Sequence, residues 1–157
     1  MTERVSSIEV RPVRREELEQ LLPLVAGYQR FYESEPDDDR NRKFFARFIE
    51  PSDEGLLLGA WSGGRLVGFA TLYWFHSSTK AADTVLMNDL FVREGLRGGG
   101  VGRALIDACL DVARRRGAAH LEWSTAPDNR RAQRLYDSMP GATRSTWYVY
   151  EIPTDQP

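Results

Sequence analysis

Apolar and polar positions along this chain change period several times. In "IEVRPV" they alternate up to Pro12, as in a half-buried strand. "REELEQLLPLVAGYQRFY" then sets Leu18, Leu21, Leu22 and Val25 at helical spacing, with Pro23 as a candidate kink. Acid-rich "ESEPDDD" reads as a loop offering caps to a short helix through "RNRKFFARFI". "GLLLGAWSGGRLVGFATLYWF" is a hairpin turning at Ser62 to Gly64, and "TVLMNDLFV" is a further strand. After the glycine stretch a helix is expected from about Val101 to Arg116, with Val101, Leu105, Ala108 and Val112 on one face and Arg103, Asp107, Asp111 and Arg114 turned elsewhere. "AAHLEWST" reads as a strand and "DNRRAQRLYDSM" as a helix capped by Asp128 or Asn129. "TWYVYEI" reads as a last strand. The order predicts a mixed α/β fold, a central sheet with helices on its faces.

Composition narrows the class. At 157 residues, with 41% hydrophobic and 28% charged side chains, the chain suits one soluble domain spanning 1–157. No run approaches the roughly 18 to 20 apolar residues of a membrane span, and "MTERVSSIEV" is charged where a signal peptide is apolar, so no membrane association and a cytoplasmic location are expected. Cys109, the single cysteine, forms no internal disulfide, and with His76 and His120 as the only histidines no metal site is expected. The net charge of −2 hides a division: residues 93–134 carry nine basic and five acidic side chains. That local excess suits a small polyanion and is too short and interrupted for a nucleic-acid surface.

"LRGGGVGRAL" follows the strand ending near Val92 and opens the helix at Val101. A helix start presents unpaired N–H groups and partial positive charge, and glycines let a ligand approach that backbone, so the stretch is a candidate pyrophosphate cradle aided by Arg97 and Arg103. A P-loop fails here, since Arg103 and Ala104 stand where Lys and Ser/Thr are needed, and a dinucleotide fingerprint fails on Arg103 or Leu105. A flexible turn without a ligand is the plain alternative.

The pattern that fits is Arg-x-x-Gly-x-Gly, at Arg97, Gly100 and Gly102, followed by "NRRAQRLY" with Asn129, Ala132, Leu135 and Tyr136 in register. On these two motifs the chain resembles the GNAT superfamily of acetyl-CoA-dependent N-acetyltransferases, from about Ile8 to Ile152. "NDLFV", "EWSTAPDNRRAQRLY" and "TWYVYEI" look most like its diamine and polyamine acetyltransferase branch. The resemblance implies a mostly antiparallel sheet with a splayed pair of strands, flanked by about four helices. It also implies acetyl-CoA as acyl donor. Leu90, Phe91 and Val92 would meet the pantetheine arm, while Arg97, Gly98, Gly99, Gly100, Val101, Gly102 and Arg103 hold the pyrophosphate and Asn129 contacts the cofactor. Tyr136 would protonate the departing thiolate, and a phenol near pKa 10 is a reasonable donor to it when desolvated. The amine would attack the thioester directly in a ternary complex, with a backbone N–H at Leu90 or a neighbour stabilising the oxyanion.

Two departures stand out. The polyamine branch often carries a glutamate before the aspartate of this strand, where this chain has Asn88 before Asp89. Asparagine cannot act as a base, and Asp89, His76 or a water chain stand open as substitutes. "DSMP" also places four residues rather than three between Tyr136 and Gly141, which changes the following turn. "YQRFYESEPDDD" combines Tyr28 and Tyr32 with Glu33 and further acids, a rim suited to a cationic amine or a solvated loop. Tyr28, Tyr32, Glu33, Asn88 and Asp89 are therefore the candidate acceptor residues. The leading expectation is acetyl transfer to a primary amine of a small molecule. The alternatives are a protein lysine or N-terminal acetyltransferase and a non-catalytic acyl-CoA-binding sensor. A homodimer through late strands is expected.

Overall fold

The computed structural model describes residues 7–155, which fall into two compact units divided between Ser124 and Thr125. The first unit holds one five-stranded sheet in the order β1-β2-β3-β4-β5. Its strands are β1 (Ile8–Pro12), β2 (Gly55–Ser62), β3 (Arg65–Ser77), β4 (Ala82–Val92) and β5 (Leu121–Glu122). The first three pairings are antiparallel and β4–β5 is parallel. Gly63 and Gly64, at φ 58° and 76°, form the two-residue turn between β2 and β3, where positive φ matches the twist of the flanking strands.

Helices cover both faces of this sheet. α1 (Leu18–Phe31) buries Leu18, Leu21, Leu24 and Val25 in a core shared with Phe45, Phe48, Leu57, Trp61 and Phe69. Pro23 lies on the exposed face of α1, where water can serve the carbonyl its ring leaves unbonded. α2 (Asp38–Phe45) begins two residues before the expected start because Asp37 accepts a hydrogen bond from Arg40 N at its N-terminus. α3 (Val101–Arg115) packs on the other face. There a Cβ on Gly68 would lie 3.2 Å from both Val101 and Leu105 side chains and 2.9 Å from the Phe91 carbonyl oxygen. Its buried residues are Val101, Leu105, Ile106, Cys109, Val112 and Ala113, with the basic side chains turned away.

In the second unit, α4 (Arg130–Asp137) is the single regular element among the described residues. "TWYVYEI" is a correction to the expected last strand: residues 146–152 form no ladder. Trp147, Tyr148, Val149, Tyr150 and Ile152 are all more than four-fifths exposed. A strand needs a neighbour for its backbone groups, and this unit supplies none.

Candidate active site

The site is built on an irregularity in β4. Thr71 pairs with Asp89 and Leu72 with Met87, so Asn88 is an extra residue on its strand. Such a bulge re-aims adjacent side chains. Asn88 Nδ2 donates to Asp89 Oδ1 at 3.0 Å and to the Tyr73 hydroxyl at 3.3 Å, so both residues of "ND" serve one cluster.

Asp89 is 4% exposed. Burial pushes its carboxyl above the ordinary value, opposed by Thr71, by the Tyr28 hydroxyl, which donates to it, and by the Asn88 amide. Thr71 lies directly across the ladder and is fully buried, yet its Oγ1 meets no partner at strict hydrogen-bond geometry. Burial, and next the charge of Asp89, raises the phenols of Tyr28, Tyr32 and Tyr73, the last to about 12. All three therefore stay neutral donors near pH 7. Among the described residues no cationic side chain forms an ion pair with Asp89.

Aromatic rings pack around the tyrosines that act on this carboxylate. Tyr28 meets Tyr32 edge-on at 5.0 Å between centroids, Phe69 at 6.0 Å and Phe91 at 6.3 Å, and Tyr32 meets Phe31 at 5.1 Å. Phe48 lies 5.1 Å from Tyr73 on the other side. Such contacts hold the rings in fixed mutual orientation.

The splayed edge follows from register. β5 pairs with β4 only at Val85 and Leu86, so Met87 to Val92 carry no strand on that side. Arg93 N donates to Val67 O on β3, and alternation then points the N–H groups of Leu90 and Val92 toward the unpaired edge.

Beyond that edge, Gly95, Gly98 and Gly100 all have positive φ, and Gly100, at 87°, is the residue that opens α3. Gly98, Gly99, Gly100 and Arg103 are exposed, Gly102 partly so, and Val101 is buried as the first core residue of the helix. Exposed glycine backbone leading into a 15-residue helix is suited to a diphosphate. The Arg97 side chain has other engagements: Nε donates to Val92 O at 3.2 Å, and the guanidinium lies 5.8 Å from the Phe31 centroid and 5.4 Å from that of Phe91.

In the second unit, Asn129 Oδ1 caps α4 by accepting from Ala132 N at 3.2 Å. Tyr136 follows two turns later and is partly buried.

The structure thus brings Tyr28, Tyr32, Asn88 and Asp89 into one cluster. Glu33 is exposed in a left-handed conformation, φ 58°, and is not among the groups acting on Asp89. His76 is exposed and paired with Asp83 at 2.8 Å, at the far end of the β3–β4 hairpin. Sequence reading missed Thr71 and Tyr73. The signal for both was their position opposite "ND" on the next strand, which becomes visible only once the register and its bulge are fixed.

The model of the acetyltransferase (GNAT) family matches residues 18–139, a stretch that includes Arg97, Gly100, Gly102, Asn129 and Tyr136. An uncharacterized N-acetyltransferase, YhfO, of Bacillus subtilis is 30% identical over 141 residues, 90% of this chain and 93% of that protein. The D-amino-acid N-acetyltransferase HPA3 of Saccharomyces cerevisiae is 34% identical over 77% of this chain and 76% of its own. Among solved structures, the aminoglycoside N-acetyltransferase AAC(6')-Iy in complex with CoA superposes with a TM-score of 0.82 at 19% identity, over 98% of this chain and 99% of that one, a likeness of fold. With its sheet, its loop and its family match in agreement, this chain belongs to the GNAT family and is an N-acetyltransferase that takes acetyl-CoA as its acyl donor.

Proposed function

We propose that this enzyme acetylates a primary amine of a small molecule by direct attack within a ternary complex, with Asp89 receiving the proton of the incoming ammonium. The observation that carries this reading is the buried, cation-free Asp89 carboxylate beside the open edge of β4. An alkylammonium has a pKa near 10 and must be deprotonated before it attacks. A carboxyl whose pKa is raised by burial accepts that proton more readily than an ordinary aspartate.

The amine nitrogen then forms its bond to the acetyl carbon while the carbon–sulfur bond breaks. The N–H of Leu90 is aimed for the developing oxyanion. Tyr136 gives its proton to the departing sulfur, and the proton left on the amide nitrogen returns to the phenol through water. Phe91 and Val92 flank the pantetheine arm, and Gly98 to Arg103 hold the pyrophosphate. Arg97 contributes chiefly through its backbone, since its side chain is engaged with Val92 and two phenylalanines.

The whole chain acts as one acetyltransferase domain in this reading, supported by a family match that runs through both compact units. The exposed apolar run at 146–152 supports self-association as a homodimer. Kinship with the diamine and polyamine branch rests on the three segments quoted above and concerns ancestry rather than the charge of the acceptor.

The test is thiol release from acetyl-CoA with an amine panel. Turnover should appear with small amines and fall about 100-fold or more in Asp89→Asn. Turnover only with lysine-containing peptides would assign the protein-modifying reading. Tight CoA binding without thiol release from any amine or peptide would assign the sensor.

A further inference from the structure

We propose, building on the acetyl-transfer reading above, that the acceptor carries a single ammonium group on an aromatic or other apolar body, and that polycationic amines are poor acceptors. Asp89 is the one acidic side chain buried among the described residues. A buried carboxylate without a counter-ion costs several kcal/mol, so an arriving ammonium is strongly favoured there. The fully buried Thr71 Oγ1 lies beside that carboxylate and, with the Tyr28 hydroxyl and the Asn88 amide, helps hold its charge.

A second ammonium finds nothing comparable. Asp39 and Glu19 are both taken by Arg42, at 2.8 and 2.6 Å. Asp37 is taken by the start of α2, and Glu54 by Arg47. Glu33, Glu35 and Asp38 are exposed, and an exposed carboxylate screened by water attracts a cation only weakly. Guanidinium groups stand at both ends of the aromatic wall. Arg97 lies over Phe31 and Phe91, and Arg47 lies 5.3 Å from the Phe44 centroid and 5.7 Å from that of Phe48. A chain of further ammonium groups leaving Asp89 finds no second buried acid among the described residues, and past Phe31 and Phe91 it meets the Arg97 guanidinium.

The walls instead match an apolar body. Tyr28, Tyr32 and Tyr73 present neutral phenols, and Phe31 and Tyr32 remain about half exposed, at 55% and 54%, with ring surface to give to a bound molecule. Aromatic pairs are favourable beyond the area they bury.

The test compares phenethylamine with spermidine on protein saturated with CoA. Binding is followed by the ring signals of Tyr28, Tyr32 and Tyr73 in ¹³C-tyrosine-labelled protein, and kcat/KM is then measured with acetyl-CoA. Phenethylamine should bind at least 10-fold more tightly, shift those rings, and lose that effect in Asp89→Asn. Phe31→Ala, which removes exposed ring surface from the wall, should weaken phenethylamine and move the spermidine-to-phenethylamine ratio at least 3-fold toward spermidine. Equal or tighter binding of spermidine by the natural chain, no shift with either amine, or an unmoved ratio in Phe31→Ala would each overturn the proposal. Preferential phenethylamine binding without thiol release would uphold it and count against the acetyl-transfer reading.

Discussion

At the scale of single residues, Asp89 sets activity against stability. Its folded pKa is raised, so the native state holds that proton more tightly than the unfolded chain does. The stability this supplies is present at low pH and is lost as pH rises from the ordinary aspartate value, about 3.9, through the raised one. Above that raised value the folded protein carries a buried charge that opposes folding. Asp89→Asn is expected to be at least as stable as the natural chain at pH 8, with the difference shrinking or reversing on acidification, as thermal melts at several pH values would show. Glu17 behaves oppositely: the hydrogen bonds from Arg11, at 2.8 Å, hold its carboxyl at about 2, so its contribution survives until strongly acid pH. Tyr136→Phe removes the phenolic hydroxyl and with it the proton proposed for the departing sulfur. It is expected to slow thiol release about 10- to 100-fold while the CoA dissociation constant, measured by calorimetry, stays within about 2-fold.

At the scale of elements, the loop into α3 was legible because its cause is local. Glycines between a strand and an amphipathic run specify a turn with positive φ, and Gly100 adopts it. A Cβ there would meet nothing within 4 Å, so the cost of Gly100→Ala is backbone strain rather than collision. About 1–2 kcal/mol of destabilisation is expected in denaturant melts, with CoA binding weakened as the loop relaxes. The β2–β3 hairpin and the buried face of α3 were legible for similar reasons, although Ile106 and Cys109, rather than Ala108, complete that face. The bulge at Asn88 was not legible, because two-against-one pairing depends on the register of β3 against β4 rather than on residue type. That hidden feature decides where the side chains of "ND" go: adjacent strand residues ordinarily face opposite sides of the sheet, and the bulge brings Asn88 and Asp89 to one cluster instead. "TWYVYEI" was misread for the converse reason, since strand propensity describes suitability for a pleated surface and cannot supply the neighbouring strand.

At the scale of the whole molecule, two features remain to be satisfied in solution. One is the apolar run at 146–152, where Trp147 and Tyr150 are 83% and 91% exposed. Sedimentation equilibrium at micromolar concentration is expected to show a dimer that Trp147→Ser combined with Tyr150→Ser converts to monomer. The other is the cation-free carboxylate of Asp89, on which the functional account depends. No helix among the described residues is long and apolar enough to cross a membrane, and none of their His, Cys, Asp and Glu side chains group as a metal site. The decisive measurement is the pH dependence of kcat/KM for thiol release with the best small amine, in the natural chain and in Asp89→Asn. The account predicts an acid limb in the natural enzyme with an apparent pKa above that of an ordinary carboxylate, and in the variant a loss of about 100-fold or more with that limb removed. An unchanged profile and rate in Asp89→Asn would contradict it.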